Sequence, residues 1–156
     1  MATKAKPKNP TLKSMFVGRI EDLDVAWFSK IGGFASETEI ATAHAGGDSI
    51  TTFKSPGKTK YNPIEVMLVA SENKELYDWR QRVIASADAD GVPDDDVKKT
   101  FYIDVYSKGS RKLGRWVFEE CFPSKDVPGE LDASASAFTE ETYTFEYTKY
   151  HWEKAA

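Results

Sequence analysis

Alternation of apolar and polar residues at a period of two constrains the fold of this chain more than any other feature of its sequence. Within 61–69, one face of the pattern is apolar throughout and is carried by Ile64, Val66 and Leu68. The segment 101–106 alternates in the same way. Because successive side chains of a strand point to opposite faces, this period predicts β-strands with one buried face.

Four further segments are predicted as strands from their composition and from the glycines and prolines around them. They are 15–20, 34–44, 113–122 and 142–152. Pro123 is expected to end the third strand, because proline has no N–H to donate to a sheet. In the fourth strand we expect Tyr143, Phe145 and Tyr147 to pack inward.

Only one segment, at about 71–85, has a helical period. Ser71 is its predicted N-cap, and Glu72 lies in the predicted first turn, where the helix dipole favours an acid. A largely apolar stripe follows at helical spacing and consists of Leu76, Trp79, Arg80, Val83 and Ile84. We expect this helix to lie outside the sheet, with Leu76, Trp79 and Val83 against it.

The predicted fold class is mainly β, an antiparallel β-barrel or sandwich with one flanking α-helix. Residues 1–13 are predicted to be a flexible basic arm, and 14–156 a single domain. Long strands such as 34–44 leave N–H and C=O groups at their edges, which invite pairing with other chains. A ring whose subunits complete one inner β-barrel removes such edges, so we expect assembly of that kind.

Composition excludes several classes of protein. The chain has 156 residues, of which 40% are hydrophobic and 29% charged, as is typical of one folded domain. No apolar run approaches the roughly 18 residues of a membrane span. The single cysteine, Cys121, excludes an internal disulfide and favours synthesis in a reducing cytoplasm. A net charge of −4 argues against a general nucleic-acid binder.

Two motifs resemble ligand-binding loops but lack required residues. The run 55–59 (SPGKT) ends like a phosphate-binding loop, yet Thr52 stands where that loop needs a glycine. We interpret it as a turn between strands. The acidic run 88–96 would need a glutamate at the twelfth position of a calcium loop, and that position is Lys99. We interpret it as a solvated acidic turn.

Candidate catalytic residues are equally few. Cys121 could pair with His44 or His151 as a nucleophile, but it lies in a predicted strand, where a free cysteine is usually buried. The adjacent acids at 119–120 and 140–141 point to opposite faces of a strand and so do not converge. The sequence therefore predicts no enzyme activity, no cofactor and no metal site.

An ordered set of short segments resembles the contractile-tail tube family, which covers T4-like phage tail tubes and the inner tubes of extracellular contractile injection systems. The segments are IGGF (31–34), ETEI (37–40), GGD (46–48), KSPGKTKY (54–61), ELYDWR (75–80), GRWVF (114–118), FPSK (122–125) and FTEETYTFEY (138–147). No single segment is specific, but their order and spacing are. The resemblance extends over about 16–152.

The resemblance implies a structural subunit whose hexameric rings stack into a hollow tube. Sheath contraction would drive that tube through a target envelope, and its lumen could conduct protein cargo. The implied partners are further copies of the chain, a sheath protein, baseplate or spike proteins and a tube-capping protein. Nucleic acid would be a partner only if the parent particle is a true phage tail. Assembly would take place in the bacterial cytoplasm, and the product would be part of a virion or of an extracellular or cell-associated injection particle.

Two sets of residues are assigned to assembly. The first is predicted to line the lumen because its members lie opposite the apolar faces: Glu37, Glu39, Glu65, Thr144 and Glu146. The alternative for these glutamates is bulk solvent outside a tube. The second set lies in 45–60, predicted to be a loop or short hairpin that contacts the next ring or subunit: Gly46, Gly47, Asp48, Pro56, Gly57 and Lys58.

Two other functions remain open at this point. One is a secreted ring-forming carrier like the haemolysin-coregulated proteins of type VI secretion, which share the fold of the family. The other is a β-barrel enzyme or binder with a closed cavity for a small ligand. Electron microscopy would distinguish these functions. A filament would indicate the tube, a lone ring the carrier, and a monomer with a closed apolar cavity the ligand barrel.

Overall fold

The computed structural model describes residues 15–23, 28–44, 46–47, 51–70, 72–87 and 94–155. Within those ranges the chain forms nine strands and two helices, in an order that begins with strands and places the helices centrally. The elements are β1 (Phe16–Ile20), β2 (Phe28–Gly32), β3 (Ala35–His44), β4 (Thr52–Asn62), β5 (Ile64–Val69), α1 (Glu75–Ser86), α2 (Asp94–Val97), β6 (Lys99–Tyr106), β7 (Lys112–Val127), β8 (Glu140–Glu146) and β9 (Lys149–Lys154).

Seven strands form one sheet, and every described pairing is antiparallel. The path runs β1-β6-β7-β8-β5-β2, with β9 also paired to β7. The first part of β7 pairs with β6 and β9, and its last part pairs with β8. β3 and β4 pair only with each other in the described structure. The predicted fold class, mainly antiparallel β with a flanking helix, is confirmed.

The core lies between the two halves of this sheet and under α1. Its members come from β1, β5, β6, β7, β8 and α1, and the alternating residues predicted to be buried are among them. They include Ile64, Val66, Leu68, Phe101, Ile103, Val105, Phe118, Tyr143, Phe145, Leu76 and Trp79. Aromatic rings dominate the contacts, and the ring of Phe101 lies 5.5 Å from that of Phe145 and 5.7 Å from that of Phe118. Large aromatic side chains thus pack together with aliphatic ones in this core.

Helix α1 begins later than predicted. Ser71 lies outside the described residues, and Glu72 precedes the helix, so the prediction of Glu72 in the first turn is wrong. The Asn73 side chain explains the later start, because its Oδ1 accepts a hydrogen bond from the Glu75 N–H at 3.1 Å. Such a local bond competes with helical pairing. Leu76 and Trp79 are buried as predicted, whereas Ile84 is exposed.

Strand β7 continues through Pro123 to Val127, so the prediction that Pro123 ends the strand is wrong. Pro123 is buried opposite Phe145, and the register shifts between Pro123 and Lys125. A bulge of this kind accommodates a residue that cannot donate a ladder hydrogen bond. Glu120, three residues earlier, has a positive φ of 53°. The strand therefore changes course here and passes from one half of the sheet to the other.

The predicted strand 142–152 is in fact two strands, β8 and β9. The break falls at Tyr147 and Thr148, and the Thr148 N–H donates to the Glu119 carbonyl oxygen at 2.9 Å. Tyr147 and Tyr150 both pack against the core, with ring centroids 6.0 Å apart. Aromatic residues continue across the break, but their positions change from odd (143, 145 and 147) to even (150 and 152), a change of parity that the prediction missed. The acidic run contains a short helix, α2, and 88–93 lie outside the described residues.

Candidate assembly surfaces

The face of β5 and β8 that points away from the core carries three of the residues predicted to line a lumen. Glu65 and Thr144 are direct cross-strand partners, and Glu146 follows on the same face of β8. The opposite face is buried under α1, where Trp79 packs 5.5 Å from Phe145, measured between ring centroids. The sheet thus has one solvent-facing polar surface, and the structure brings these three side chains together on it.

This polar face is mixed in charge, not purely acidic. Lys30 of β2 is the cross-strand partner of Met67, and Lys125 of β7 is the partner of Thr144. Both lysines are exposed. The direct cross-strand partners of Glu65 are Gly32 and Thr144, so neither lysine is opposite it, but both lysines add positive charge to the same face. The sequence prediction missed them, because β2 was not predicted and the strand 113–122 was expected to end before Lys125.

Glu37 and Glu39 lie on a different structure, a two-stranded ribbon formed by β3 and β4 and called here the β3–β4 ribbon. Glu37 is directly opposite Lys60. All residues of the ribbon except Ala35 and Tyr61 are exposed. The five predicted lumen residues are therefore divided between the sheet face and the ribbon.

The segment 45–60, predicted to be a loop or short hairpin, includes most of strand β4, which pairs with β3. The turn is at Gly46 and Gly47, and β4 begins at Thr52, so the interpretation of 55–59 as a turn is wrong. Asp48 lies outside the described residues.

Pro56, Gly57 and Lys58 lie within β4 at a register shift opposite Glu39. A Cβ added at Gly57 would lie 3.1 Å from the Glu39 carbonyl oxygen. A proline and a glycine are tolerated in a strand at such a bulge, and this explains why residues typical of turns are found in β4.

The β3–β4 ribbon has no buried face of its own. Ile40 is 64% exposed and Phe53 is 61% exposed, on opposite faces of the ribbon. A ten-residue strand spans about 33 Å, so the ribbon is long relative to the domain. Isolated two-stranded hairpins are at best marginally stable in water. The ribbon therefore presents two faces and two edges to a partner.

Asp104 forms a buried charged cluster that the sequence pattern did not reveal. It is only 1% exposed although it belongs to the predicted polar face of its strand. Arg19 Nε lies 3.0 Å from one carboxylate oxygen, and Lys112 Nζ and Arg115 Nε each lie 3.2 Å from the other. Three cations around one carboxylate compensate its burial, and they join β1, β6 and β7.

Cys121 is a core residue with no access to solvent. Burial raises the pKa of its thiol well above the usual range, and the charge of Glu146 raises it further. His44 is on the exposed ribbon, and His151 contacts Glu119 and Glu153. The thiol is therefore neutral and enclosed, unlike a catalytic thiolate.

In the residues that the structure describes, no three His, Cys, Asp or Glu side chains are grouped so as to hold a metal ion. None of the described helices has the length and apolar character needed to cross a membrane.

The chain is similar to known proteins both in sequence and in fold. The family model described as T4-like virus tail tube protein gp19 matches residues 12–151. Among curated proteins, no sequence matches the chain.

Three solved structures illustrate the range of similar folds. The anti-feeding prophage tube-terminating cap has a TM-score of 0.78 and 18% identity, over 98% of this chain and 97% of that one. A chain of the PVC extracellular contractile injection system sheath-tube complex, in the extended state, has a TM-score of 0.77 and 19% identity, over 94% and 93%. Hcp1 from Flavobacterium johnsoniae has a TM-score of 0.54 and 12% identity, over 90% and 96%.

Proposed function

Because this chain belongs to the T4-like virus tail tube protein family, we propose that it is the repeating subunit of the inner tube of a contractile injection system or phage tail. Hexameric rings of the chain stack into a hollow tube. Contraction of a surrounding sheath drives the tube through a target envelope, and the lumen conducts cargo. The chain has a structural role in this process and catalyses no reaction.

The observation that carries this proposal is the family match over 12–151, together with a ribbon that lacks a buried face. A monomeric enzyme or carrier gains nothing from a long ribbon exposed on both sides. A subunit that repeats along an axis uses such a ribbon at every contact, so that modest interfaces accumulate. Residues 14–156 act as the single tail-tube domain, preceded by a basic arm of residues 1–13.

Ring closure follows from the edge of the sheet. β2 is the last strand of the path β1-β6-β7-β8-β5-β2, so its outer edge pairs with no strand in the described structure. In the proposed ring this edge pairs with a neighbouring subunit, and the sheets join into one inner barrel. The polar face with Glu65, Thr144 and Glu146 then faces the lumen, where hydrated side chains let cargo pass without adhering. Glu37 and Glu39 extend this polar surface on the ribbon.

The proposed partners follow from the particles in which similar folds occur. Similar chains come from a tube-terminating cap, from a sheath-tube complex and from an anti-feeding prophage baseplate. We assign this chain the corresponding partners: copies of itself, a sheath protein, baseplate or spike proteins and a cap. The subunits assemble in the bacterial cytoplasm, and the finished particle is released or stays cell-associated. Nucleic acid enters the lumen only in a phage tail.

A second candidate function is a secreted single-ring carrier like haemolysin-coregulated protein. The similarity to Hcp1 favours it, although the TM-score of 0.54 is well below that of the tube and cap structures. Negative-stain electron microscopy of the purified chain distinguishes these functions. We expect hollow tubes many rings long. Rings that never stack would favour the carrier, and a monomer at high concentration would contradict both.

A further inference from the structure

A pocket of about 540 Å³, called here the basic pocket, lies beside the turn before β7 and the end of β9. Its lining includes Arg111, Lys112, Gly114, Arg115, Glu153 and Lys154. Four of these side chains are cationic and one is acidic, in a chain whose net charge is −4. None of them belongs to the two sets of residues assigned to assembly. A local surplus of cations in an acidic chain indicates a site for an anion.

The backbone fixes the shape of the basic pocket where β9 runs beside β7. A Cβ at Gly114 would overlap the Glu153 carbonyl oxygen and would lie 2.5 Å from the Trp152 ring. Glycine permits this close approach of the two strands because it has no side chain. On the other side, the Ser107 N–H donates to the Arg111 carbonyl oxygen at 2.9 Å, which closes the turn before β7. Both walls of the pocket therefore rest on fixed backbone.

The buried Asp104 lies beneath two of the cations. Lys112 Nζ and Arg115 Nε are each 3.2 Å from its Oδ1. In the described structure neither oxygen of this carboxylate accepts a hydrogen bond, so these are contacts of charge alone. The Arg115 guanidinium also lies over the Tyr102 ring, with 5.2 Å between its Cζ and the ring centroid. A carboxylate and an aromatic ring thus position the guanidinium, and its N–H donors remain for a second anion.

The two acids near the basic pocket do not balance its cations. The Asp104 carboxylate is shared by three of them, since Arg19 Nε lies 3.0 Å from its other oxygen. Glu153 is the cross-strand partner of Arg115, and one of its carboxylate oxygens lies 3.3 Å from His151 Nε2. Two carboxylates therefore serve five cations, Arg19 and the four of the lining. These cations repel one another until an anion enters.

The size of the basic pocket and the type of its donors define the class of ligand. Pockets for small molecules typically have volumes of about 300–1,000 Å³. Arginine binds phosphate through two parallel N–H···O bonds, and lysine adds a point charge. Because the four cations come from both sides of the pocket, a chain of two or three phosphates engages more of them than a single phosphate does. Among the described residues of the lining none is aromatic, so the pocket offers no ring on which a nucleobase stacks.

We propose that the basic pocket binds a small oligophosphate, a chain of two or three phosphate groups. Arg111, Lys112, Arg115 and Lys154 hold its oxygens, and Asp104 is a positioning residue for Lys112 and Arg115. The bound phosphates link the turn before β7 to the end of β9. Every group belongs to one chain, so the site is complete in the folded subunit and does not depend on the proposed tube function.

Calorimetric titration of the purified chain with sodium tripolyphosphate tests the site. We expect one ligand per chain and an affinity that falls as sodium chloride is raised, because salt screens contacts between charges. The double variant R111Q/K154Q should bind at least tenfold more weakly. Both side chains are exposed, so this variant should keep the fold by circular dichroism. The matched control R82Q/K149Q removes one exposed arginine and one exposed lysine outside the pocket, and it should bind as the wild-type chain does.

Three other anions define the chemistry of the site, in titrations at equal ionic strength and without divalent cations. ATP carries the same triphosphate on a nucleoside and should bind about as tightly as tripolyphosphate. Inorganic phosphate and citrate, a tricarboxylate, should each bind at least tenfold more weakly. Much tighter binding of ATP would show recognition of the nucleoside and overturn the assignment to the phosphate chain. Equal binding of citrate would make the pocket a general site for polyanions and overturn it as well.

Asp104→Asn distinguishes positioning from net charge. Removal of a carboxylate makes the pocket more positive, so charge alone predicts tighter binding of tripolyphosphate. Loss of positioning predicts binding at least tenfold weaker, and this is the result that we expect. The titration is made at a temperature at which circular dichroism shows the variant to be folded. Tighter binding by the folded variant would overturn the role given to Asp104.

The outcomes separate this inference from the proposed function. A wild-type chain that does not bind tripolyphosphate would overturn the site whether or not tubes form. Equal binding by R111Q/K154Q and R82Q/K149Q would overturn it too, because the ligand would then respond to net charge and not to the pocket. Binding by a chain that never forms tubes would support the site and contradict the tube function.

Discussion

The Trp79 indole N–H donates a hydrogen bond of 2.6 Å to the carbonyl oxygen of Val97, across 18 residues of sequence. Both residues are buried. This bond joins α1 to α2, while the Trp79 ring packs on Phe145 of β8. One side chain therefore fixes the helix to the sheet and to the element that leads into β6.

Replacement of Trp79 by alanine should lower the free energy of unfolding by about 3–5 kcal/mol, because a large buried aromatic is lost and a cavity remains. Trp79→Phe should cost about 1–3 kcal/mol, since it retains packing but leaves the Val97 carbonyl oxygen without its donor. Urea denaturation of the subunit measures both changes. Tyr77→Ala, at an exposed position of the same helix, is the control and should cost much less. A loss below 1 kcal/mol for Trp79→Ala would contradict the packing.

Replacement of Asp104 by asparagine should lower the free energy of unfolding by about 2–4 kcal/mol, because three cations lose their common anion. We place the cost below that of a fully buried pair, since Arg19, Lys112 and Arg115 are partly exposed and screened by water. Glu153→Gln, a nearby exposed acid, is the control. Equal stability of Asp104→Asn and the wild-type chain would show that the cluster contributes nothing net.

Cys121 should make the subunit less stable in alkaline solution. Burial raises the thiol pKa in the folded state, whereas the unfolded thiol ionises near its reference value of about 8.5. The unfolded state then binds fewer protons above that pH, so stability is full below about pH 8.5 and falls by up to about 1.4 kcal/mol per pH unit above it. Cys121→Ala should remove the part of this slope that begins just above about pH 8.5, below the reference tyrosine pKa of about 10. Identical slopes in the two proteins would contradict it.

Shortening the β3–β4 ribbon should separate folding from assembly. Because the described residues of 41–55 lie outside the core, replacing the segment with a two-residue Asn-Gly turn should leave the thermal midpoint within a few degrees of wild type. The same change should abolish tubes in negative-stain images. The control replaces Lys108, in the exposed turn before β7, with two glycines. This change should leave tubes intact. Tubes of normal length from the shortened chain would contradict the role of the ribbon.

Thiol labelling tests the lumen face. In a Cys121→Ser background, Glu65→Cys should react rapidly with a bulky maleimide in free subunits and slowly in intact tubes, because the reagent cannot enter the bore. Glu39→Cys reports on the ribbon in the same assay. Lys108→Cys, on an exposed turn, is the comparison and should react quickly if it faces outward. Rapid labelling of Glu65→Cys along intact tube walls would place this face outside.

The sequence predicted the core well, because period-two alternation reports directly on burial. Ile64, Val66 and Leu68 are buried as the pattern requires. The prediction of burial from alternation failed where contacts from other strands override the pattern. Asp104 is buried on a face that alternation assigns to water, since cations from two other strands cover it. No local signal could have shown this.

Turn residues were the second source of error. Pro56 and Gly57 favour a turn, yet they occupy a bulge in β4, and Pro123 occupies a bulge in β7. The same residue types serve turns and bulges, so composition alone does not separate them. For the candidate site, the sequence identified the polarity of Glu65 and Thr144, but the neighbouring Lys30 was missed because β2 was not predicted.

The passage of β7 through both halves of the sheet has a mechanical consequence. A force that pulls one half away from the other is borne in part by the covalent backbone of β7, a single 16-residue strand that is paired in both halves. Yielding would require the ladders with β6 and β9, or the ladder with β8, to slide in shear, so that many hydrogen bonds must break together. A subunit built in this way transmits thrust as one stiff body.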